Sequence, residues 1–186
     1  MQDAGAPETL VTRVWDPLVR LFHWSLALSF TVAWLSANSW ENVHIWAGFA
    51  AGGLIVLRLV WGVIGSPYAR FTQFIRSPEA IIEYLKAIAT GNEVRYVGHN
   101  PAGGAMIVAL ILGMGATAFT GWLLTTDAFW GVRWAQHLHN LSADGLLLLI
   151  VLHLAGVALA SYRHRENLIR GMISGAKRAA QPGDVA

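Results

Sequence analysis

The sequence predicts an all-α integral membrane protein: a four-helix bundle with an additional short amphipathic helix on the cytoplasmic face. Only 13% of its 186 residues are charged and 55% are hydrophobic, whereas about a quarter of a soluble domain is charged. Four segments are apolar and long enough to cross a bilayer as helices, which takes about 20 residues. No repeat and no motif for binding nucleotide, phosphate or nucleic acid competes with this interpretation.

We expect one membrane domain over residues 1–186, with spans at about 21–40, 44–65, 100–124 and 138–160. The first span contains no Asp, Glu, Lys or Arg, the second only Arg58 and the fourth only Asp144. The third begins at Asn100-Pro101, a good N-cap followed by proline at the first helical position. The polar tail after Ala176 is short, and we expect it to be frayed.

Charged residues near the ends of the spans predict the orientation. The first twenty residues include Asp3, Glu8 and Asp16 and lack the apolar core of a cleavable signal, so we expect the first span to remain in the mature protein. Eleven Lys and Arg residues lie before span one, between spans two and three, or after span four, against Arg133 alone in the other loops. Since positive charge favours the cytoplasmic side, both termini are predicted to be cytoplasmic.

Two smaller features fit this orientation. Six tryptophans fall near the outer ends of the spans, as in an aromatic belt: Trp34, Trp40, Trp46, Trp122, Trp130 and Trp134. Between spans two and three, residues 78–90 follow Ser77 and precede Gly91, with isoleucines and a leucine on one side. This pattern predicts a short amphipathic helix on the cytoplasmic surface.

Four histidines are placed at two depths of the predicted bundle. His139 and His153 are fourteen residues apart, so they project from nearly the same face of one helix, about 21 Å apart along its axis. Because neighbouring spans run in opposite directions, His44 lies level with His139, and His23 lies level with His153. A cross-helix pair of imidazoles is therefore expected in each leaflet.

Such pairs are what two six-coordinate haems require, since each neutral imidazole can bind iron axially. With both axial positions filled, such a centre transfers electrons and does not activate oxygen. The chain has no cysteine, which excludes iron–sulfur clusters, zinc–thiolate sites and the covalent attachment of c-type haem. The haems would thus be b-type. A single intramembrane histidine can instead form a helix contact or line a water cavity, and two histidines per level are too few for tetrahedral zinc.

Two further residues are candidates for cofactor binding, each with an alternative. Arg58 lies at the depth of the cytoplasmic pair, where it could bind a haem propionate or extend to the inner headgroups. His99, in "GHNPAGG", could donate to a quinone carbonyl or a propionate, or only help to cap the third span. His137 projects away from His139, and Asp144 could orient that ligand, carry a proton or simply be hydrated. Glycines 48, 52, 53, 103, 104, 113 and 156 leave room for a flat macrocycle or for close helix contact.

Five stretches between about Val14 and Arg178 carry a resemblance to a known family: "VWDPLVRLFHWSLALSF", "HIWAGFAAGGLIVLRLVWG", "RYVGHNPAGGAMIVALIL", "LHNLSADGLLLLIVLHLAGV" and "SYRHRENLIRGMISGAKR". With these stretches the chain resembles the bacterial cytochrome b561 family, which includes the b-type cytochrome subunits of nickel–iron hydrogenases. The resemblance implies a four-helix bundle with two haems b, the inner bound by His23 and His153 and the outer by His44 and His139.

The resemblance also implies electron transfer across the bacterial inner membrane, between a quinone (ubiquinone or menaquinone) and a periplasmic c-type cytochrome or redox enzyme. One branch of the family instead oxidises superoxide with quinone, an activity that favours a cationic outer surface. Here the outer loops offer Arg133 against Glu41 and Asp127, so this enzymatic alternative ranks second. A haem-free membrane anchor or transporter is a third hypothesis.

Overall fold

The protein is a bundle of four long helices. A computed structural model describes residues 11–185, in which the long helices are α1 (Pro17–Ser36), α2 (Glu41–Ile64), α5 (Pro101–Leu124) and α6 (Arg133–Arg163). Each is long and apolar enough to cross a membrane. The prediction of an all-α membrane four-helix bundle is confirmed. Asp3 and Glu8, which entered the expectation about the N-terminal segment, lie outside the described residues.

The shorter elements gather at one end of the bundle. They are β1 (Val11–Arg13), a 3-10 turn (Pro67–Ala69), α3 (Phe71–Phe74), α4 (Pro78–Thr90), α7 (Leu168–Ser174) and β2 (Ala176–Arg178). We call this end, formed by residues 11–16, 65–100 and 164–185, the loop-rich face. The opposite end, formed by residues 37–40 and 125–132, is the short-loop face.

Polar caps explain where several helices begin. Asp16 caps α1 by accepting a hydrogen bond from the Val19 amide at 2.9 Å, and Asn100 caps α5 by accepting one from the Gly103 amide at 2.6 Å. In both helices proline follows at once, where its missing N–H costs nothing. Because these caps lie at the loop-rich face, they fix the start of both helices there.

The helices pack as a row in chain order. α1 packs extensively against α2, α2 against α5, and α5 against α6. In the part of the chain that the structure describes, α6 makes no comparably extensive contact with α1 or α2. We call the space between α6 and the helices α1 and α2, where close contacts are fewer, the cleft.

The C-terminal segment is ordered, so the expectation of a frayed tail was wrong. β2 pairs antiparallel with β1, and the Val185 amide donates to the Arg95 carbonyl at 2.8 Å. Arg95 also forms a buried ion pair with Glu166 at 2.9 Å, and Lys177 lies 3.6 Å from the same carboxylate. Composition suggested fraying because the tail is polar, but its polar groups find partners from distant parts of the chain.

The amphipathic helix α4 begins at Ser77, whose hydroxyl accepts from the Ala80 amide, and ends at Gly91, whose φ of 73° is left-handed. Ile82 and Leu85 remain exposed on it. The six tryptophans of the expected aromatic belt are also exposed, by 39% to 71%. Large exposed apolar groups at both ends fit a protein surrounded by lipid.

Candidate functional site

The four intramembrane histidines meet in two pairs across the cleft. The ring centroids of His44 on α2 and His139 on α6 are 6.0 Å apart. Those of His23 on α1 and His153 on α6 are 6.5 Å apart. The first pair lies toward the short-loop face and the second toward the loop-rich face, and all four side chains are half-buried.

These separations fit one metal ion between the rings of each pair. A metal bound by two imidazole nitrogens, each at about 2 Å, holds the two ring centres about 6 Å apart. Aromatic rings in direct contact have centroids about 4.5–7 Å apart, so these separations accommodate either a bridging metal or direct ring contact. In the described residues, no three His, Cys, Asp or Glu side chains cluster as a metal site, so each pair supplies two protein ligands only.

Hydrogen bonds orient the pair near the short-loop face. His44 Nδ1 lies 2.8 Å from the Ala33 carbonyl, which can only accept, so Nδ1 carries the proton. His139 Nδ1 lies 3.2 Å from the Thr120 hydroxyl, which donates its own proton to the Ala116 carbonyl at 2.8 Å. Nδ1 of His139 is therefore also the donor. Both rings keep Nε2 unprotonated, the form that binds a metal.

The pair near the loop-rich face is surrounded differently. His23 packs edge-on against Trp24, with ring centroids 5.0 Å apart, and its buried Nδ1 has no hydrogen-bond partner among residues 11–185. A buried nitrogen without a partner costs about 1–3 kcal/mol. A bound group that contacts Nδ1 would remove this cost.

Arg58 is enclosed by the turn that follows α2. Its guanidinium is buried, with Nη2 donating to the Ala69 carbonyl at 3.1 Å and the group lying 5.2 Å from the centre of the Phe71 ring. Its Nη1 is enclosed and has no partner among the described residues. Arg58 therefore keeps one donor free for an anionic group.

His99 is held between aromatic rings at the start of α5. Its ring centroid lies 4.4 Å from that of Trp15 and 4.9 Å from that of Phe74. Burial, with the nearby charges of Lys177 and Arg58, lowers the pKa of His99 to about 3, so the ring is neutral at physiological pH. Its enclosed Nδ1 has no partner among the described residues. The capping role belongs to Asn100 instead.

Other residues considered from the sequence lie apart from the pairs. His137 and Asp144 are exposed on α6. The glycines divide into two groups: a Cβ at Gly104 would lie 2.4 Å from the Phe74 carbonyl oxygen, and one at Gly113 would lie 3.3 Å from Leu149. Both serve close packing. A Cβ at Gly48, one turn after His44, would touch nothing within 4 Å, so this position leaves room beside the ring.

Sequence reasoning missed three groups around His139 and His44. They are Thr120, the Ala33 carbonyl and Gly121, where a Cβ would lie 3.1 Å from Cε1 of His139. Thr120 and Gly121 could have been found from the sequence, because a hydroxyl residue followed by glycine lies on a neighbouring span at the depth of a candidate ligand. A backbone carbonyl leaves no signal in the sequence.

The comparison with protein families decides the identity. The sequence profile described as prokaryotic cytochrome b561 matches residues 14–175. The chain belongs to this family. No curated protein and no solved structure gave a match. Prokaryotic cytochromes b561 are membrane proteins that bind haem b and transfer electrons, and the resemblance identified from the sequence is thereby confirmed.

Membership in the cytochrome b561 family also explains the chemistry of the donor set. Haem b is held by axial ligation and packing alone, and two imidazoles facing one another are one ligand set that it accepts. The two histidine pairs supply such a set at each level. The residues present therefore fit haem b at each pair.

Proposed function

We propose that this cytochrome b561 is a dihaem protein that carries electrons across the membrane between a quinone and a redox partner at the opposite face. The observation that carries the proposal is the pair of imidazoles near each end of the cleft, at a separation suited to one iron each. Family membership supports haem b and electron transfer. To this our proposal adds the number of haems, their ligands, the quinone and the redox partner.

The ligands would be His23 and His153 for one haem, and His44 and His139 for the other. When bound, haem b supplies a one-electron redox couple whose potential depends on its ligands and surroundings. The protein's own contribution is to hold and orient. Two imidazoles would hold the haem at each site, and the Ala33 carbonyl and Thr120 hydroxyl keep the His44 and His139 rings in the metal-binding tautomer.

The spacing on α6 divides the path across the membrane. Fourteen residues of helix place His139 and His153 about 21 Å apart along the axis, against a hydrocarbon core of about 30 Å. One redox centre would then lie in each leaflet. Electrons would cross in two shorter steps and never traverse the whole apolar layer at once.

A quinone would react at the loop-rich face. Arg58 and His99 each keep a buried nitrogen without a partner among residues 11–185, and both lie near the His23–His153 end. Arg58, always protonated, suits a haem propionate. Neutral His99 can donate one hydrogen bond to a carbonyl of ubiquinone or menaquinone. We assign them these two roles as part of the proposal.

The sidedness follows from the distribution of positive charge. Eleven Lys and Arg residues lie at or next to the loop-rich face, and the positive-inside rule therefore supports a cytoplasmic position for it. The membrane would be the bacterial inner membrane. The partner, a c-type cytochrome or a redox enzyme, would then dock on the periplasmic, short-loop face near His44 and His139.

Removing single ligands tests the assignment. His139→Ala and His153→Ala should each lower the haem content from two to one per chain, measured as the pyridine haemochrome per mole of protein. His137→Ala, on the same helix but exposed, is the matched control and should keep both haems. If both ligand variants retain two haems, or if the control loses one, the ligand assignment is wrong.

Electron transfer can be measured with the intact protein in liposomes. Quinol added to the bilayer should reduce a membrane-impermeant acceptor enclosed inside, and the rate should fall to the protein-free value when His44→Ala interrupts the path. A rate that is unchanged in this variant, which should still hold the haem at His23 and His153, would contradict transfer through both sites.

A further inference from the structure

A groove lies along α6, outside the two histidine pairs. It has a volume of about 460 Å³ and runs along one stripe of α6, from Leu154 through Val157 and Ala158 to Tyr162, and then beneath the start of α7. Leu154 and Tyr162 are 59% and 84% exposed. His153 is not among the lining residues: Leu154, Ala158, Ser161 and Tyr162 project about 80–180° away from it around α6, and only Val157, one turn later, lies on nearly the same face.

The groove changes from apolar to polar along its length. Leu154, Val157 and Ala158 line the part within the hydrocarbon, and Ser161, Tyr162 and Arg165 line the end beyond it. Leu154 lies eleven residues before Arg165, or about 16 Å along a helix. This order matches a phospholipid, whose acyl chains lie in the core and whose phosphate lies at the headgroup level.

The polar end of the groove carries a positive charge that no carboxylate offsets. The guanidinium of Arg165 is exposed and has no ion-pair or hydrogen-bond partner among residues 11–185. The only carboxylate lining the groove, Glu166, already accepts from Arg95 at 2.9 Å and from the Arg178 amide at 2.8 Å. An anionic headgroup would therefore meet a free cation.

The backbone of Arg165 gives an independent reason to look for a ligand. α6 ends in a Schellman motif, with the Glu166 amide donating to the Ser161 carbonyl at 3.1 Å and the Arg165 amide to that of Tyr162 at 3.4 Å. Arg165 sits at the position where glycine is usual, with φ of 49°. A side chain kept at such a strained position often serves a ligand.

We propose that this groove binds an anionic phospholipid of the leaflet at the loop-rich face, with an acyl chain along Leu154, Val157 and Ala158 and its phosphate on Arg165. The phosphate accepts from the Arg165 guanidinium, and the Tyr162 hydroxyl lies at the same level. This site is independent of the proposed electron transfer, since none of its residues belongs to the histidine pairs.

The substitution Arg165→Gly separates a binding role from a structural one. Glycine suits the left-handed position, so this variant should unfold at the same temperature as the wild type or higher. Binding of phosphatidylglycerol to the holoprotein in detergent, measured by native mass spectrometry, should weaken about fivefold, as expected for one basic residue at an anionic surface. Arg76→Gln, which removes an exposed arginine elsewhere on the loop-rich face, should leave this binding unchanged.

Two further measurements locate the lipid. Phosphatidylglycerol with a photoreactive acyl chain should label residues 154–162 of the wild type, and Ala158→Phe, which fills the groove, should abolish that labelling. Equal affinity for phosphatidylglycerol and phosphatidylcholine would overturn the proposal. Equal losses of phosphatidylglycerol affinity in Arg165→Gly and Arg76→Gln would also overturn it. The same holds if a short-chain quinone displaces the label at a concentration that leaves phosphatidylcholine labelling unchanged.

Discussion

Replacing Thr120 by valine tests whether a residue of the neighbouring helix orients His139, the proposed haem ligand. Valine has nearly the shape of threonine but cannot accept the hydrogen bond from His139 Nδ1, which the Thr120 hydroxyl now accepts at 3.2 Å. The imidazole would keep a half-buried donor without an acceptor and would lose the group that fixes its tautomer. Haem should remain bound at this site, but more weakly.

The size of the effect can be estimated in two ways. Removing a partner that orients a metal-binding histidine weakens metal binding about 10–100-fold, or about 1.4–2.8 kcal/mol. Leaving a buried hydrogen-bond donor unsatisfied costs about 1–3 kcal/mol. The two ranges agree, so a loss of about 2 kcal/mol at the His44–His139 site is expected, with no change at the His23–His153 site.

The assay is transfer of haem to excess apomyoglobin, followed spectroscopically in detergent. Thr120→Val should release one haem per chain faster than the wild type, while the other is released at the wild-type rate. Thr31→Val is the matched control, because Thr31 also donates to a carbonyl one turn earlier in its own helix but contacts no histidine. Equal release of both haems, or an equal effect of the control, would refute the orienting role of Thr120.

Three other predictions follow from single contacts. Gly121→Val should displace the His139 ring, since even a Cβ there lies 3.1 Å from Cε1, and the haem content should fall to one per chain. Asp16→Ala removes the cap of α1 and the acceptor for Trp61 Nε1. The free energy of unfolding should therefore fall by about 1–2 kcal/mol, which is measured as a lower melting temperature. The control Asp127→Ala, at an exposed position, should leave the melting temperature unchanged. Burial alone would raise the pKa of Glu166, but its bonds to Arg95 and the charge of Lys177 lower the pKa below the ordinary 4.5. A carboxylate whose pKa is lowered on folding stabilises the folded state above its unfolded pKa, and this stabilisation is lost as the carboxylate is protonated. Hydrogen exchange in residues 176–185, corrected for intrinsic rates, should therefore become faster below pH 4.5 and should not change between pH 6 and 8.

The sequence was sufficient for the bundle because the physics of a span is local. About twenty apolar residues without charge must form a helix in a bilayer, whatever surrounds them. The expected span of 21–40 nevertheless differs from helix α1, which begins at Pro17 and ends at Ser36. Its true start depends on the Asp16 cap, which lies among polar residues where hydropathy gives no signal.

Candidate ligands were accessible from the sequence for a similar reason. Helical spacing relates residues on one helix, as with His139 and His153, and alternation of direction relates depths on different helices. The surroundings of the ligands depend on packing between helices, which spacing does not reveal. That is why the hydrogen bond from His44 to the Ala33 carbonyl and the enclosure of Arg58 near Ala69 were not anticipated.

The pairing of β1 with β2 has a consequence for how the molecule is assembled. β1 precedes the first span and β2 follows the fourth, so this small sheet can form only after every span has entered the bilayer. Until then the two helical hairpins are joined mainly where α2 meets α5, and their mutual tilt can still adjust. The β1–β2 sheet and the Arg95–Glu166 ion pair then connect the segment before the first span to the segment after the fourth, and they stabilise the assembled bundle at its loop-rich face.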